Sequence, residues 1–348
     1  MEAIFIPRPG MLRPLTQDGT SDFIRKQFHF NLRGGLQMRT SLLNAVAAAT
    51  LLLAASPAVA KGGTWVPVAL QNASATQLFG INDSNTISGG YTDASGNVHG
   101  FIGDFAGDKY TSFDDPDSDT QARGMNDKNA VAGFDAGAFA PWEYSAKGKL
   151  TAVTKNGTDL DQLIQGINKA GTFTGDYTDT DTGLYVGYTG AKSKWKADFS
   201  LPKLKNGGYA GRAIDSAGDI AGWYYDTTTG LQRGYLLPAG AKKATLIDYP
   251  KAEYTVVEGM NDNGLVVGQW EDSSAVIHGF IYTVKTGAFT SLDAPGAGFT
   301  QVWNINNHNV ITASTDVAGS FAYCMSKKGC PKGGMANIGT AKMAPARP

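Results

Sequence analysis

Short stretches in which apolar and polar residues alternate recur from about residue 64 to residue 323, and most are bounded by glycine, asparagine or aspartate. Alternation with a period of two is typical of half-buried β-strands, and the bounding residues are typical of tight turns. The 44 glycines and the low share of charged residues fit the same picture. The pattern therefore predicts an all-β fold of many short strands.

One nine-residue pattern returns six times. It begins with an apolar residue and Asn or Asp, passes through a turn, and ends in an apolar residue, a variable residue and Gly or Ala. The six copies begin at Ile81, Met125, Ile167, Ile214, Met260 and Ile305. Successive starts are 44, 42, 47, 46 and 45 residues apart, and this is the length of a four-stranded propeller blade.

The spacing predicts a six-bladed β-propeller over residues 61–323, with four-stranded repeats of about 45 residues that start near residues 80, 124, 166, 213, 259 and 304. An open β-solenoid and a pair of β-sandwiches are the competing folds. The propeller is preferred because the sixth copy ends after its third strand, near Tyr323, whereas the chain supplies an extra strand near Trp65. Residues 65–70 would complete the last blade and remove the open edges of the ring.

Two positions of the pattern predict a tight turn. The fifth position is always Asn or Gly, the residue types that enter the left-handed backbone region at least cost. The second position is Asn in five copies and Asp215 in the fourth. Because such side chains hydrogen-bond the backbone two residues on, they are interpreted as turn formers rather than as ligands.

Two further columns concern packing. The Gly or Ala that ends each copy is expected to let the sheets stack closely around the axis. The third strand of each blade is expected to carry an aromatic residue, which is Phe101, Tyr144, Tyr188, Tyr235, Phe280 or Phe321.

The triplets His99-Gly-Phe101 and His278-Gly-Phe280, with Phe289-Thr-Ser-Leu-Asp-Ala-Pro295, resemble the bacterial extracellular family of HAF repeats over roughly residues 65–323. This resemblance implies export and a repeat architecture, and it implies no activity. Val186 and Arg233 stand at the histidine position of the third and fourth copies. We therefore expect His99 and His278 to have a packing or hydrogen-bonding role rather than ligation or acid–base work.

The segment 38–60 has the features of a signal peptide: a short basic start, an Ala- and Leu-rich apolar run, and small residues before Lys61. It predicts a secreted or periplasmic protein without a membrane span after cleavage, and a membrane anchor or a buried helix is the alternative. Residues 1–37 show no steady apolar period. They are interpreted as an over-called, disordered start, with translation beginning at Met38.

Lys and Arg total 30 against 31 for Asp and Glu, without a basic stripe, so nucleic acid is not an expected partner. No linear catalytic, phosphate-binding or zinc motif is present, and neither a metal nor a cofactor is predicted. The acidic runs 114–119 and 179–183 lack the complete calcium-loop pattern and are interpreted as solvated turns.

Cys324 and Cys330 are expected to form a disulfide in an oxidising compartment, with a reactive thiol pair as the alternative. The C-terminal tail, 324–348, is expected to be flexible beyond them.

One column breaks the repetition. The residue before the small residue that opens each copy is Phe79, Arg123, Gln165, Arg212, Glu258 and Trp303. Near the axis, this mixture would form a polar pocket at the channel mouth, whereas between blades it would only fill unequal gaps. The predicted ligand-binding residues are Arg123, Gln165, Arg212, Glu258 and Trp303. The sequence thus predicts a monomeric, non-enzymatic binding or interaction protein for a saccharide, peptide or protein partner. The alternative is an extracellular lyase or hydrolase whose catalytic groups come from several blades.

Overall fold

A computed structural model describes residues 58–59, 63–70, 73–104, 110–114, 119–153, 160–201, 204, 206–316, 320–326, 330 and 336–338. These all lie within one compact unit, Ala55–Pro348. The predictions for residues 1–37, for nearly all of the signal segment, for most of the C-terminal tail and for the centre of the acidic run 114–119 fall outside the described residues.

The described chain forms 26 strands in six sheets. Before the first blade come β1 (Ala58–Val59) and β2 (Thr64–Leu70). Blade one contains β3 (Ala75–Ile81), β4 (Thr86–Thr92), β5 (Val98–Asp104) and β6 (Tyr110–Phe113). Blade two contains β7 (Thr120–Met125), β8 (Val131–Asp135), β9 (Ala140–Tyr144) and β10 (Leu150–Ala152). Blade three contains β11 (Leu160–Ile167), β12 (Thr172–Thr178), β13 (Tyr185–Ala191) and β14 (Lys194–Asp198). Blade four contains β15 (Asn206–Ile214), β16 (Ile220–Asp226), β17 (Leu231–Leu237) and β18 (Thr245–Ile247). Blade five contains β19 (Tyr254–Met260), β20 (Leu265–Glu271), β21 (Ile277–Thr283) and β22 (Ala288–Leu292). Blade six contains β23 (Thr300–Ile305), β24 (Val310–Thr315) and β25 (Ser320–Cys324), and β26 (Ala336–Ile338) follows in the chain.

The protein is a six-bladed β-propeller, as predicted. Each blade is an antiparallel four-stranded sheet, and β2 supplies the fourth strand of blade six. The register places Trp65 opposite Tyr323 and Val68 opposite Ser320. This pairing closes the ring between the two ends of the repeat region, so the first and last blades share their hydrogen bonds within one sheet.

Two short strands extend the blades at their outer edges. Strand β1 pairs in parallel with β22, and β26 pairs in parallel with β2. Strand β26 lies within residues 324–348, the segment predicted to be a tail. In the same segment, Cys324 and Cys330 form the predicted disulfide, with a Cα–Cα distance of 5.3 Å. Residues 336–338 are therefore attached to the closing strand.

The innermost strand of every blade carries a β-bulge. The register shifts fall between Leu78 and Gly80 in β3 and at the corresponding places in the other five inner strands. The extra residues of the remaining bulges are Arg123, Gln165, Arg212, Glu258 and Trp303. The variable column of the sequence is thus the bulged position, and a bulge redirects the side chain of its extra residue.

The small residue that ends each copy has a different reason from the one expected. Close stacking of neighbouring sheets was predicted, but the tightest contact lies within the blade. A Cβ atom on Gly89 would lie 2.0 Å from the carbonyl oxygen of Gln77 in the bulged strand, and Gly268 would meet Val256 in the same way. Five copies have glycine here because the bulge brings that carbonyl close, while the sixth copy has Ala313.

The aromatic column of the third strand needs a correction in blade two. By register, Trp142 lies opposite Gly133 as Phe101 lies opposite Gly89, so Trp142 rather than Tyr144 occupies the repeated position. Blade two has a shorter second hairpin, which shifts the sequence alignment by two residues. Trp142 is 1% exposed and belongs to the hydrophobic cluster between blades one and two.

The predicted turns are present in all six copies. Their fifth residues have positive φ, from 58° at Asn85 to 89° at Gly218. Within the turn, Oδ1 of Asn82 accepts hydrogen bonds from the backbone N–H groups of Ser84 and Thr86. The turn role predicted for this column is therefore confirmed.

The same asparagines also join neighbouring blades, and the sequence did not predict this. Nδ2 of Asn82 donates to the carbonyl oxygen of Asn126 at 3.2 Å. Equivalent bonds lead from Asn126 to Asn168, from Asn168 to Asp215, from Asn261 to Asn306 and from Asn306 back to Asn82. Asp215 has no amide donor for the remaining junction. At that junction, the backbone N–H and Oγ of Ser216 donate to Asp262. The corresponding backbone N–H bond is also present at junctions that keep the asparagine, such as that from Asp83 to Asp127.

We expect Val68→Asp to destabilise the fold severely, because Val68 is fully buried where blades six and one meet. A buried, unpaired carboxylate in the closing strand should lower the free energy of unfolding by at least about 4 kcal/mol. Urea denaturation followed by tryptophan fluorescence measures the change. The adjacent Ala69→Asp is the matched control, since Ala69 is exposed. Equal effects of the two substitutions would contradict closure by β2.

We expect Asn126→Asp to lower the free energy of unfolding by about 1–3 kcal/mol at neutral pH, because it removes the amide donor to Asn168 and keeps the turn acceptor. The reciprocal change Asp215→Asn supplies the absent donor towards Asn261 and should stabilise the protein by about 1 kcal/mol. Urea denaturation of both variants tests this pair. A neutral effect of Asn126→Asp would show that the asparagine acts in its turn alone.

Candidate functional site

The six bulged side chains meet around one cavity on the propeller axis. We call Phe79, Arg123, Gln165, Arg212, Glu258 and Trp303 the bulge ring, and with Asn304 they line this cavity. It leaves about 10 Å³ for the centre of a water molecule, enough for about one water. The structure therefore brings all five predicted site residues together with Phe79.

One side of the bulge ring combines a cation with aromatic rings. The guanidinium carbon of Arg123 lies 4.1 Å from the ring centroid of Phe79, 4.8 Å from that of Trp303 and 5.3 Å from that of Phe134. Phe79 and Trp303 pack edge to face at 5.1 Å. Aromatic faces attract cations most strongly where water is excluded, and Arg123 is only 6% exposed.

The other side of the bulge ring contains an ion pair. Nη1 of Arg212 lies 3.9 Å from Oε2 of Glu258, and the Glu258 side chain is 7% exposed. Burial raises the pKa of Glu258 above its usual value, although Arg212 and Arg123 oppose this shift. Burial also lowers the pKa of Arg123 to about 9, with Glu258 opposing and Arg212 adding to the change. Arg123 thus remains a cation at neutral pH.

A second layer lies behind the ring, on the second strand of each blade. Its residues directly follow the small residue of each copy and are Gly90, Phe134, Asp176, Trp223, Gln269 and Ser314. Phe134 contacts Arg123, Trp223 lies 5.8 Å from the guanidinium carbon of Arg212, and Ser314 accepts a hydrogen bond from Nε1 of Trp303. Sequence reasoning missed this layer, although its mixed composition was a signal of the same kind as that of the bulge ring.

Asp176 is the unusual member of the second layer. Its side chain is 1% exposed and Oδ1 has no hydrogen-bond partner. Burial raises its pKa to about 7, while the positive charge of Arg212 opposes this and the negative charges of Glu258 and Asp161 add to it. Asp176 therefore titrates near neutral pH beside the ring.

Several polar atoms around the axis are buried without a partner among the described residues. They include Nε of Arg123, Nε of Arg212, Oδ1 of Asp176 and Oε1 of Gln269. Leaving such groups unpaired costs about 1–3 kcal/mol each, and more for charged groups. Of these residues, Arg123 and Arg212 line the ring cavity, where a water molecule or a polar ligand group would be close to both.

A larger polar cavity of about 80 Å³ adjoins the ring on the side of the first turns and shares Arg212 and Asn304 with it. Its acidic rim residues already have protein partners. Asp127 Oδ1 accepts from the N–H of Asp83, and Asp83 Oδ1 accepts from the N–H of Asn307. These bonds join neighbouring blades, so the rim carboxylates have a structural role at this mouth.

The two equivalent histidines lie away from the axis and have the expected hydrogen-bonding role. His99 is held between Asp114, at 2.7 Å, and Asp93, at 3.2 Å, and it stacks on Tyr91. His278 has the same arrangement with Asp293 and Asp272 and stacks on Trp270. In blade four, Nη1 of Arg233 donates to Asp248 at 2.9 Å. The column thus provides a cationic or polar partner for the aspartate that follows the fourth strand.

Among the described residues, no cluster of three or more histidine, cysteine, aspartate or glutamate side chains could hold a metal ion. In the acidic run 179–183, Oδ1 of Asp179 accepts hydrogen bonds from the N–H and Oγ1 of Thr182, as in a turn. Within the same part of the chain, no helix is long and apolar enough to cross a lipid bilayer.

No protein-family model matches the sequence, and no curated protein is similar enough to match. Among solved structures, the chain is similar to a streptogramin B lyase, with 10% identity over 75% of this chain and 96% of that one and a TM-score of 0.46. It is also similar to TolB from Acinetobacter baumannii, with 12% identity, coverage of 70% and 65%, and a TM-score of 0.46. For the WD40 β-propeller domain of Doa1, the identity is 8%, the coverage 77% and 99%, and the TM-score 0.41. These likenesses concern the fold alone.

We expect Asp176→Asn to remove a loss of stability that the wild-type protein undergoes between about pH 4 and pH 7. The folded chain retains this proton up to about pH 7, whereas the unfolded chain releases it near pH 3.8, so stability falls as the pH rises between these values. The variant should be more stable than wild type at pH 8, by at most about 4 kcal/mol, and nearly equal to it at pH 4.

Thermal denaturation at pH 4, 6 and 8 measures this difference. Asp181→Asn, in an exposed turn, is the matched control and should leave the pH profile unchanged. If the profile of Asp176→Asn ran parallel to that of wild type, the buried carboxyl would not titrate as described.

Proposed function

We propose that the protein is an exported, non-enzymatic binding protein that holds its ligand at the bulge ring on the propeller axis. The observation that carries the proposal is that six different bulged side chains, one from each blade, line one cavity, and that Nε of Arg123 and Nε of Arg212 are buried without a partner among the described residues. Ligand sites of this kind are concave and contain a few polar groups that converge on the ligand.

The composition of the ring argues against a role limited to filling gaps. Apolar side chains would fill unequal spaces at lower cost than a buried arginine without an ion pair, because an isolated charge is expensive to remove from water. The contact of Phe79 with Trp303 does fill space, and it also forms an aromatic surface against Arg123. The polar side chains of the ring, namely Arg123, Gln165, Arg212 and Glu258, are the ones that a ligand would satisfy.

The size of the cavity restricts how a ligand binds. Only a small group can enter the ring, so the remainder of a saccharide, a peptide or a protein partner would lie outside it. Export rests on the predicted signal segment 38–60, and it makes extracellular or periplasmic compounds the relevant candidates. The protein is proposed to act as a monomer, because the closing strand completes the ring within one chain.

One observation favours the alternative, a propeller enzyme acting on extracellular polymers as a lyase or hydrolase. Two buried carboxyl groups near the ring, Asp176 and Glu258, have raised pKa values, and that of Asp176 is about 7. Carboxyl groups that titrate near neutral pH beside cations are typical of acid–base sites, although structural networks shift pKa values as well. Binding without turnover remains the leading proposal because the ring cavity has room for about one water molecule.

The proposal predicts that compounds which bind the ring raise the melting temperature. The full chain would be expressed in a secreting bacterial host, its N-terminus checked by mass spectrometry, and the product screened against glycans, peptides and divalent metals. At a hundredfold excess over Kd, a ligand specific for the folded state stabilises it by about 2.7 kcal/mol. We expect Gln165→Leu and Glu258→Gln to reduce this effect.

Thr245→Ala, on the exposed outer strand of blade four, is the control and should keep the response to the ligand. A stabilising compound whose effect survives both ring substitutions would place the site elsewhere. Chromatography of any stabilising polymer after incubation separates the two functions, since cleavage that depends on Glu258 would favour the enzyme.

A further inference from the structure

The charges of the bulge ring do not balance, and this identifies the chemistry of the ligand if the ring is the binding site proposed above. Arg123 and Arg212 contribute two positive charges, whereas Glu258 is the one carboxylate of the ring. Asp176, in the second layer, keeps its proton up to about pH 7, so it does not cancel this excess below that pH. Glu258 lies within ion-pair distance of Arg212. For Arg123, the described residues provide three aromatic contacts and no ion pair.

The surroundings of Arg123 leave only part of its guanidinium for a ligand. Phe79, Trp303 and Phe134 lie against it with centroid distances of 4.1 to 5.3 Å, while Nε is buried and has no hydrogen-bond partner among the described residues. A guanidinium donates hydrogen bonds from its planar N–H edge. A ligand group must therefore approach that edge as an acceptor.

Arg212 offers a similar acceptor position. Its Nε is also buried without a partner among the described residues, and its contact with Glu258, at 3.9 Å, is longer than a hydrogen bond. Both arginines line the same small cavity. Two unpaired guanidinium donors beside one small cavity would be satisfied by a single anionic acceptor.

We propose that the bulge ring binds the carboxylate group of a small organic acid or acidic sugar between Nε of Arg123 and Nε of Arg212. A carboxylate is planar and accepts from arginine in a matching geometry. A carboxylate carries one charge, whereas phosphate and sulfate are bulkier and can carry two. The cavity has room for about one water molecule, so one carboxylate oxygen would take that place and the remainder of the ligand would lie outside the ring.

Isothermal titration calorimetry of the full-length exported protein tests the proposal with acetate, galacturonate, galactose, phosphate and sulfate at constant ionic strength. Galacturonate and galactose are matched probes, since they differ by one carboxylate. We expect binding of acetate and galacturonate, no measurable binding of galactose, and weaker binding of phosphate and sulfate. Arg123→Met should weaken carboxylate binding at least tenfold.

The variants separate this role from a structural one. Lys149→Met removes one positive charge from an exposed position in blade two and should bind the carboxylates as wild type does. Without ligand, Arg123→Met should melt no lower than wild type, because it replaces a buried charge that has no ion pair by an apolar side chain. If this variant fails to fold, Arg123→Lys retains the charge without the planar donors and should also weaken binding.

Three results would overturn the carboxylate assignment: retention of carboxylate binding by Arg123→Met, tighter binding of phosphate or sulfate, and binding of galactose equal to that of galacturonate. If instead a neutral glycan or peptide binds in a way that depends on Gln165 and Glu258, the proposed binding function stands and the carboxylate inference fails. If no compound binds, both fail.

Discussion

Five of the six blades depend on the contact between the bulge of the inner strand and the glycine opposite it, whereas blade six has Ala313 at this position. The bulge brings a carbonyl oxygen to within about 2 Å of the position that a Cβ atom would occupy on Gly89, Gly133, Gly175, Gly222 or Gly268. Glycine leaves that space empty, so the inner strand can take up one extra residue and still remain paired. That extra residue faces the axis, and the central chemistry of the molecule follows from this.

Two kinds of interaction then hold the blades together. Apolar side chains from adjacent blades form the clusters between them, such as Val68 of the closing strand with Leu78 and Phe101. On the first-turn side, each Asn amide that contacts the next blade does so from a turn that its own side chain has fixed. The asparagine therefore connects local and long-range structure, because a change in the turn would displace the amide group that donates to the next blade. Asp215 interrupts this system, and at that junction the bonds from Ser216 to Asp262 remain.

The sequence predicted the features that local residue patterns determine. Turns with Asn85 or Gly171 at a left-handed position are specified within a few residues, and their repetition gave the number of blades. The closing strand was predictable because its alternation completes the pattern that the sixth copy lacks. The bulge was not predicted, because an extra residue leaves no mark in a sequence when every copy contains it. The variable column was its visible consequence, and its physical cause became clear only from the strand register.

The partners within the site could not be predicted for a related reason. Arg123 contacts side chains from blades six, one and two, and these residues are separated by up to 224 positions in the chain. Asp176 lies one residue after a repeated glycine, where nothing nearby in the sequence indicates burial beside Arg212 and Glu258. A uniform framework explains how such groups are tolerated. Hydrogen bonds and apolar contacts repeated over six blades supply the stability, so a few unpaired polar groups on the axis can be kept where a ligand would satisfy them.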